Sequence, residues 1–135
     1  MTTHSLVLSH TDGLEFKTQI NGMDLILDGS ATNPGIGPKK LLLAALAGCT
    51  AMDVVSILEK MKVEFSDFSI LVEAPLTEEH PKIYSAYTLV YYIKVDKQNE
   101  EKVLKAVNLS KEKYCGVSAM LSASAPIKFT IKYLP

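Results

Sequence analysis

Arginine is absent from this sequence: all 14 of its basic residues are lysines. A guanidinium group binds a carboxylate or phosphate through two parallel hydrogen bonds, whereas an ammonium group acts as a point charge. The sequence therefore excludes any site that depends on an arginine. A bias in genomic composition is the simplest cause of this absence.

An excess of charge of either sign is also absent. The formal net charge is -1, so the sequence gives no electrostatic reason to expect nucleic acid or an anionic membrane as a partner. A content of 47% hydrophobic and 21% charged residues is typical of globular proteins. The length of 135 residues fits one domain, and we predict a single domain over residues 1–135.

Neither a secretion signal nor a membrane-spanning run is recognised. The segment Met1–Ser5 is polar, and the most apolar stretch, Leu41–Leu58, is interrupted by Thr50, Asp53 and Ser56. That stretch is also shorter than the ~20 apolar residues that cross a bilayer. We therefore expect a soluble cytoplasmic protein, in which two cysteines are thiols or a redox pair rather than a structural disulfide.

Histidines are few and scattered. His4, His10 and His80 show none of the short spacings that zinc sites use, and no phosphate-loop or dinucleotide motif is present. The sequence therefore predicts neither a metal site nor a cofactor.

Turn-forming pairs divide the first thirty residues into a three-stranded meander. Asp12-Gly13 and Asn21-Gly22 tolerate the positive φ angles of tight turns, and they separate predicted strands at 4–10, 14–20 and 23–28. A loop is predicted over 29–37. Pro38 then suits the first turn of a helix, which we expect to end near Lys62.

That helix is apolar on nearly all sides, which predicts a long, buried central helix. A second β-hairpin is expected at 68–73 and 83–95, then a helix that fades near 110–113, a short helix at 115–122 and a closing strand at 127–133. The predicted fold class is α+β in the order βββ–α–ββ–α(α)–β. One small sheet cannot cover the central helix on all sides, which favours a homodimer.

One stripe of the central helix is polar. Cys49, Asp53, Ser56 and Lys60 are spaced at i, i+4, i+7 and i+11 and so share one face. A thiol on a polar stripe of an apolar helix is the first indication of function, although most cysteines in such helices are small buried hydrophobes.

Two cysteine-containing segments carry a resemblance. The run NPGIGPKKLLLAALAGCTAMD at 33–53 resembles the first cysteine motif of the OsmC/Ohr family, and KYCGVS at 113–118 resembles the second. His80-Pro81-Lys82 before a long strand also matches the family pattern. The order of elements agrees over nearly the whole chain.

The resemblance implies an intertwined homodimer that reduces organic hydroperoxides as part of a stress response. By this resemblance Cys49 is the peroxidatic cysteine and Cys115 the resolving one. The two would form a disulfide that an external dithiol reduces, which is a chemically reasonable series of oxidation states. No nucleic acid and no membrane belong to this picture.

The family's activating Arg and Glu are not found. The chain has no Arg, and Lys39, followed by Lys40, stands where the Glu is expected. On a continuous helix these lysines lie about 14–15 Å from Cys49, so contact requires a helix break or the partner chain, while Asp53 would raise the thiol pKa. Two interpretations stay open: a thiol-dependent hydroperoxide reductase, and a non-catalytic protein that binds an apolar or anionic small molecule.

Overall fold

Strands and helices follow one another in the order βββ–α–ββ–αα–β in the computed structural model, which describes residues 1–30 and 35–135. This is the predicted α+β order. The middle of the predicted loop at 29–37 and the first two residues of the motif at 33–53 lie outside the described residues.

The first three strands form an antiparallel sheet: β1 at Ser9–Asp12, β2 at Glu15–Ile20 and β3 at Met23–Asp28. The turn pairs behave as predicted, because Gly13, Asn21 and Gly22 have φ angles of 55°, 52° and 79°. The predicted start of β1 at residue 4 is wrong. The carbonyl of Val7 accepts a hydrogen bond from Thr18 Oγ1 at 2.7 Å, and strand pairing begins only at Ser9.

Helix α1 spans Pro38–Lys60 without a break, close to the predicted range. It buries one face, made by four residues each separated by one turn: Leu46, Thr50, Val54 and Leu58. Its other faces are less covered, and Leu42 and Met52 are 44% and 75% exposed. The chain by itself therefore covers one side of a helix that is apolar on most sides.

The second sheet combines two kinds of pairing. Strands β4 (Ser66–Glu73) and β5 (Tyr87–Lys94) form the predicted hairpin, and β6 (Ile127–Tyr133) pairs with β5 in parallel. A parallel pair needs a long crossover connection, which the helical segment between β5 and β6 provides. Alternate residues of β5 are buried and form the core of this part: Tyr87, Leu89, Tyr91 and Ile93.

The crossover consists of four helical pieces. A 3₁₀ turn at Lys97–Asn99 leads into α2 (Glu100–Leu109), a π-helical turn at Ser110–Tyr114 follows, and α3 spans Gly116–Ser122. Helix α2 buries Val103 and Val107, whereas Leu104 is 45% exposed.

The residues fall into two compact units, Met1–Leu43 and Ala44–Pro135. The prediction of one domain over residues 1–135 stays a prediction. Among the described residues one helix, Pro38–Lys60, is long and apolar enough to pass for a membrane span. Length and composition alone are weak evidence for a span, because the core helix of a soluble protein passes the same test.

Candidate active site: a cluster of two thiols and a carboxylate

Three reactive side chains of the second unit meet at one point. The sulfurs of Cys49 and Cys115 and a carboxylate oxygen of Asp53 all lie within 4.8 Å of one another. Both cysteines are free thiols. Two residues that are 66 positions apart in the sequence are thus brought into one cluster, as a redox pair requires.

Cys49 lies in the middle of α1 and is partly exposed. The backbone N–H of Val117, in the first turn of α3, lowers the pKa of its thiol. The thiol therefore faces the N-terminus of α3, where backbone N–H groups lack helical partners.

Cys115 precedes α3 and caps its N-terminus. Its sulfur accepts a hydrogen bond from the backbone N–H of Ser118 at 3.2 Å, and the residue is only 3% exposed. N–H groups of the first turn of α3 thus act on both sulfurs, that of Ser118 by a hydrogen bond to Cys115 and that of Val117 by lowering the pKa of Cys49. Of the two thiols, Cys49 is the one that solvent reaches.

Asp53 is one helical turn beyond Cys49, as the predicted polar stripe requires. Its Oδ2 accepts a hydrogen bond from Ser110 Oγ at 3.0 Å, and Ser110 is fully buried at the start of the π-helical turn. This bond orients the carboxylate toward the two sulfurs.

The surroundings of Cys49 favour the protonated thiol. Burial is the largest cause that raises its pKa, and the Cys115 thiol and the Asp53 charge raise it further. Only the N–H of Val117 acts in the opposite direction. No lysine of the described residues is among the groups that shift this pKa.

The predicted supporting lysines lie elsewhere. Lys39 and Lys40 are exposed in the first turn of α1, and α1 continues unbroken through Ala47 and Gly48, so the helix break that would bring them closer is not formed. Lys113 packs over the ring of Tyr114, with Nζ 5.5 Å from the ring centroid.

Asp53 also lines a cavity of about 460 Å³. Ser56 and Lys60, the remaining members of the polar stripe, line it together with apolar and aromatic side chains: Ile57, Met61, Leu109 and Tyr114. The stripe predicted from helical spacing is thus confirmed as one face. Three of its four members line this cavity, whose wall can accommodate an apolar ligand next to the thiol cluster.

A buried tyrosine is electrostatically coupled to the cluster. Tyr91 of β5 is 1% exposed. Burial is the main cause that raises its pKa, a hydrogen bond with Thr50 lowers it, and the charges of Cys115 and Asp53 add to the rise. The second sheet therefore contributes a phenol to the electrostatics of the site.

Sequence reasoning missed several of these groups. Ser110, Tyr91 and the N–H of Val117 act through tertiary contacts, and no spacing rule connects them to Cys49. A signal existed only for Val117, which belongs to the segment KYCGVS at 113–118. Ser118 was also missed: within the part of the chain that the structure describes, its buried hydroxyl has no hydrogen-bond partner.

The family model for OsmC-like proteins matches residues 29–131. The chain belongs to the OsmC/Ohr family. A curated relative, Protein YhfA of Escherichia coli, is 32% identical over 117 residues, which cover 86% of this chain and 87% of that protein. The family is one of soluble folds, and the apolar helix α1 is consistent with that.

Solved structures confirm the OsmC fold. A hypothetical protein from Aquifex aeolicus superimposes with a TM-score of 0.85 at 29% identity over 100% of both chains. The organic hydroperoxide resistance protein OsmC of Legionella pneumophila, described as a predicted redox protein, gives a TM-score of 0.69 at 17% identity over 98% of this chain and 99% of that one. At this lower identity the likeness shows the fold alone.

Proposed function

We propose that this chain is a thiol-dependent hydroperoxide reductase that acts on organic hydroperoxides through Cys49 and Cys115. The observation that supports it most is the meeting of the two sulfurs within 4.8 Å in a fold of the OsmC type. Cys49 is the attacking residue, because it is partly exposed whereas Cys115 is 3% exposed.

The reaction proceeds in three steps. The Cys49 thiolate attacks one oxygen of the O–O bond, the bond breaks, and the alkoxide leaves and takes up a proton as the alcohol. Cys49 is now a sulfenic acid, which the Cys115 sulfur attacks with loss of water to form the disulfide. An external dithiol supplies two electrons by thiol–disulfide exchange and restores both thiols.

The raised pKa of Cys49 gives this mechanism a pH dependence. A free cysteine ionises near pH 8.5, and burial, Cys115 and Asp53 move the thiol of Cys49 above its usual range. Because the thiolate is the nucleophile, we expect peroxide consumption to rise with pH from neutral into the alkaline range. A rate that is flat over this range would contradict attack by Cys49.

The test is turnover of an organic hydroperoxide with a dithiol reductant. We expect Cys49→Ser to abolish turnover. In the absence of the dithiol, Cys115→Ser should react with one equivalent of peroxide and leave a trappable sulfenic acid at Cys49. Ser122→Ala, an exposed serine of the same helix α3, serves as a control with unchanged activity. Activity that survives Cys49→Ser excludes the mechanism.

A homodimer belongs to the same proposal. Only 22% of the most apolar window of α1 is buried, and Met52 is 75% exposed in its middle, so a second copy is the partner that would cover this helix. Sedimentation velocity tests it: we expect a dimer for the wild type, a monomer for Met52→Lys, and a dimer for the control Glu64→Lys at another exposed position. A monomeric wild type contradicts the proposal.

A cytoplasmic location, where thiols stay reduced, is also part of the proposed function.

A non-catalytic binding protein is the second candidate. The observations that favour it are the raised pKa of Cys49, which slows attack by the thiol, and the cavity of about 460 Å³ beside Asp53. This candidate predicts sluggish thiols and a small molecule that copurifies and is detected by native mass spectrometry. Rapid trapping of a sulfenic acid at Cys49 by substoichiometric peroxide would exclude it.

A further inference from the structure

The cluster of two sulfurs and one carboxylate oxygen is also a set of metal ligands. Zinc binds thiolates at about 2.3 Å and carboxylates at about 2.0–2.2 Å, so the ligand atoms of a tetrahedral centre lie roughly 3.5–3.8 Å apart. The three atoms here already lie within 4.8 Å of one another. A change of about 1 Å, within the reach of side-chain torsions, therefore suffices to close a site around an ion.

The type of ligand selects a thiophilic ion. Soft thiolates favour zinc over magnesium or calcium, which prefer oxygen ligands. Two Cys and one Asp supply three of four tetrahedral positions and leave the fourth for water or another ligand, as catalytic zinc sites do. Groups of exposed acids are common without an ion, but this cluster contains two sulfurs, and that of Cys115 is buried.

Neighbouring groups hold the ligands in place. Ser110 Oγ donates to Asp53 Oδ2 at 3.0 Å, which is the kind of outer hydrogen bond that orients metal-binding carboxylates. The N–H of Ser118 donates to the sulfur of Cys115, which fixes that side chain at the N-terminus of α3. Two of the three ligands are thus positioned by the protein alone.

Within the described part of the chain, no lysine is among the groups that shift the pKa of Cys49. The three groups of the cluster are anionic when deprotonated, the chain has no arginine, and Lys39 and Lys40 are exposed at the far end of α1. A divalent cation bound by all three groups would compensate for these charges directly.

We propose that the reduced protein binds one thiophilic divalent cation, Zn²⁺ in the first place, through Cys49, Cys115 and Asp53. The prediction that no metal site exists was made from the spacing of histidines and did not consider this set of two cysteines and one aspartate. A disulfide offers no thiolate, so only the dithiol form binds the ion, and bound ion and disulfide exclude each other. The proposal goes beyond peroxide reduction and does not require it.

The test uses the full-length, metal-free protein in its reduced form, titrated with Cd²⁺ and with Zn²⁺ in the absence of peroxide. We expect one equivalent of Cd²⁺ per chain, with an ultraviolet thiolate-to-metal charge-transfer band, and competition by one equivalent of Zn²⁺. Cys49→Ser and Cys115→Ser should abolish stoichiometric binding, and oxidation to the disulfide should do the same until a dithiol reverses it.

Asp53→Asn examines the carboxylate. Asparagine still offers an oxygen to Ser110 but no charge, so the fold is retained and we expect at least a tenfold loss of Zn²⁺ affinity. Ser110→Ala removes the orienting hydrogen bond, a kind of change that typically costs about 10–100-fold. Asp96→Asn, at an exposed position whose side chain makes no capping hydrogen bond, is the control with unchanged affinity.

Several outcomes would overturn the proposal: no charge-transfer band in the reduced wild type, a band that survives either cysteine substitution, or full affinity in Asp53→Asn. Because no peroxide is present, these outcomes are independent of the proposed reductase activity. A protein that binds Zn²⁺ but does not consume peroxide refutes the function alone. One that consumes peroxide but binds no Zn²⁺ refutes this inference alone.

Discussion

The two three-stranded sheets differ sharply in what they bury. In the second sheet Leu89, Tyr91 and Ile93 are at most 2% exposed, whereas in the first sheet Ile20, Met23 and Ile26 are at least 45% exposed. Alternation of apolar and polar residues thus produced a strand in both, but only in the second sheet are these apolar residues buried within their own unit. The difference teaches that a pattern predicts which face is apolar, not what covers it.

The site follows the same division. Cys49, Asp53, Ser110 and Cys115 all belong to residues 44–135, the unit with the covered sheet, and Tyr91 of that sheet contributes to its electrostatics. A rigid, buried layer is what a reactive cluster needs to keep its geometry. The first sheet, by contrast, offers apolar surface suited to a partner.

The largest expected difference between the sheets is in core packing. Leu89→Ala removes a side chain that is 2% exposed, and we expect it to lower the free energy of unfolding by about 2–5 kcal/mol. The matched substitution Ile26→Ala, at a position that is 45% exposed, should cost less than about 1 kcal/mol in the monomer. Chemical denaturation of both variants measures this.

Protein concentration sharpens this comparison. If a second copy covers the first sheet, the cost of Ile26→Ala should grow as the protein is concentrated, because association stabilises the folded state by mass action. If Leu89→Ala and Ile26→Ala lower the free energy of unfolding equally at low protein concentration, the first sheet is as well packed as the second.

A smaller expected effect concerns alkaline pH. Burial raises the pKa of Tyr91 above its unfolded value of about 10. Its contribution to stability is therefore complete below that pH and is lost as the pH rises through the folded pKa. We expect the free energy of unfolding to fall above about pH 10, and Tyr91→Phe to reduce that fall.

Tyr114→Phe is the matched control for this experiment. Tyr114 is 54% exposed, so we expect the free energy of unfolding of this variant to fall with pH as steeply as that of the wild type. Burial also raises the pKa values of Tyr84 and Tyr133. The free energy of unfolding of the Tyr91→Phe variant should therefore still fall in part at alkaline pH. An unchanged slope in that variant would mean that Tyr91 is solvated at high pH.

Features fixed by neighbours in the sequence could be predicted. Asn21-Gly22 determines a tight turn by its own φ preferences, Pro38 begins α1 because a missing N–H costs nothing there, and the helical spacing of Cys49 and Asp53 places both on one face. Each conclusion depends on local geometry alone, and the structure confirms each.

Features fixed by distant contacts could not. The parallel pairing of β5 with β6 depends on how the helical crossover packs, and the hydrogen bond of Ser110 to Asp53 joins residues 57 positions apart. The proximity of Cys115 to Cys49 came from a family resemblance and not from any spacing. The candidate metal ligands were overlooked for the same reason, since a three-residue set drawn from two distant segments leaves no short motif.

The smallest expected effect is at the exposed ion pair of the first sheet. Lys17 Nζ lies 3.2 Å from Asp24 Oδ2, with the two side chains 44% and 49% exposed. The hydrogen bond from Gln19 is the largest cause that lowers the pKa of Asp24, followed by Lys17, so any stabilisation is present above about pH 3.9 and is lost as the pH falls through the folded pKa. Exposed pairs of this kind contribute little.

Asp24→Asn should therefore leave the melting temperature unchanged at neutral pH and near pH 3, in low and high salt alike, because asparagine still accepts the hydrogen bond from Gln19 Nε2. Thermal unfolding of Asp24→Asn and of Leu89→Ala, each at both pH values and both salt concentrations, measures the difference between the two sheets. A fall in melting temperature as large as that of Leu89→Ala would mean that charge pairs stabilise the first sheet in place of a covered apolar face. The first sheet would then not depend on a partner over its exposed apolar residues.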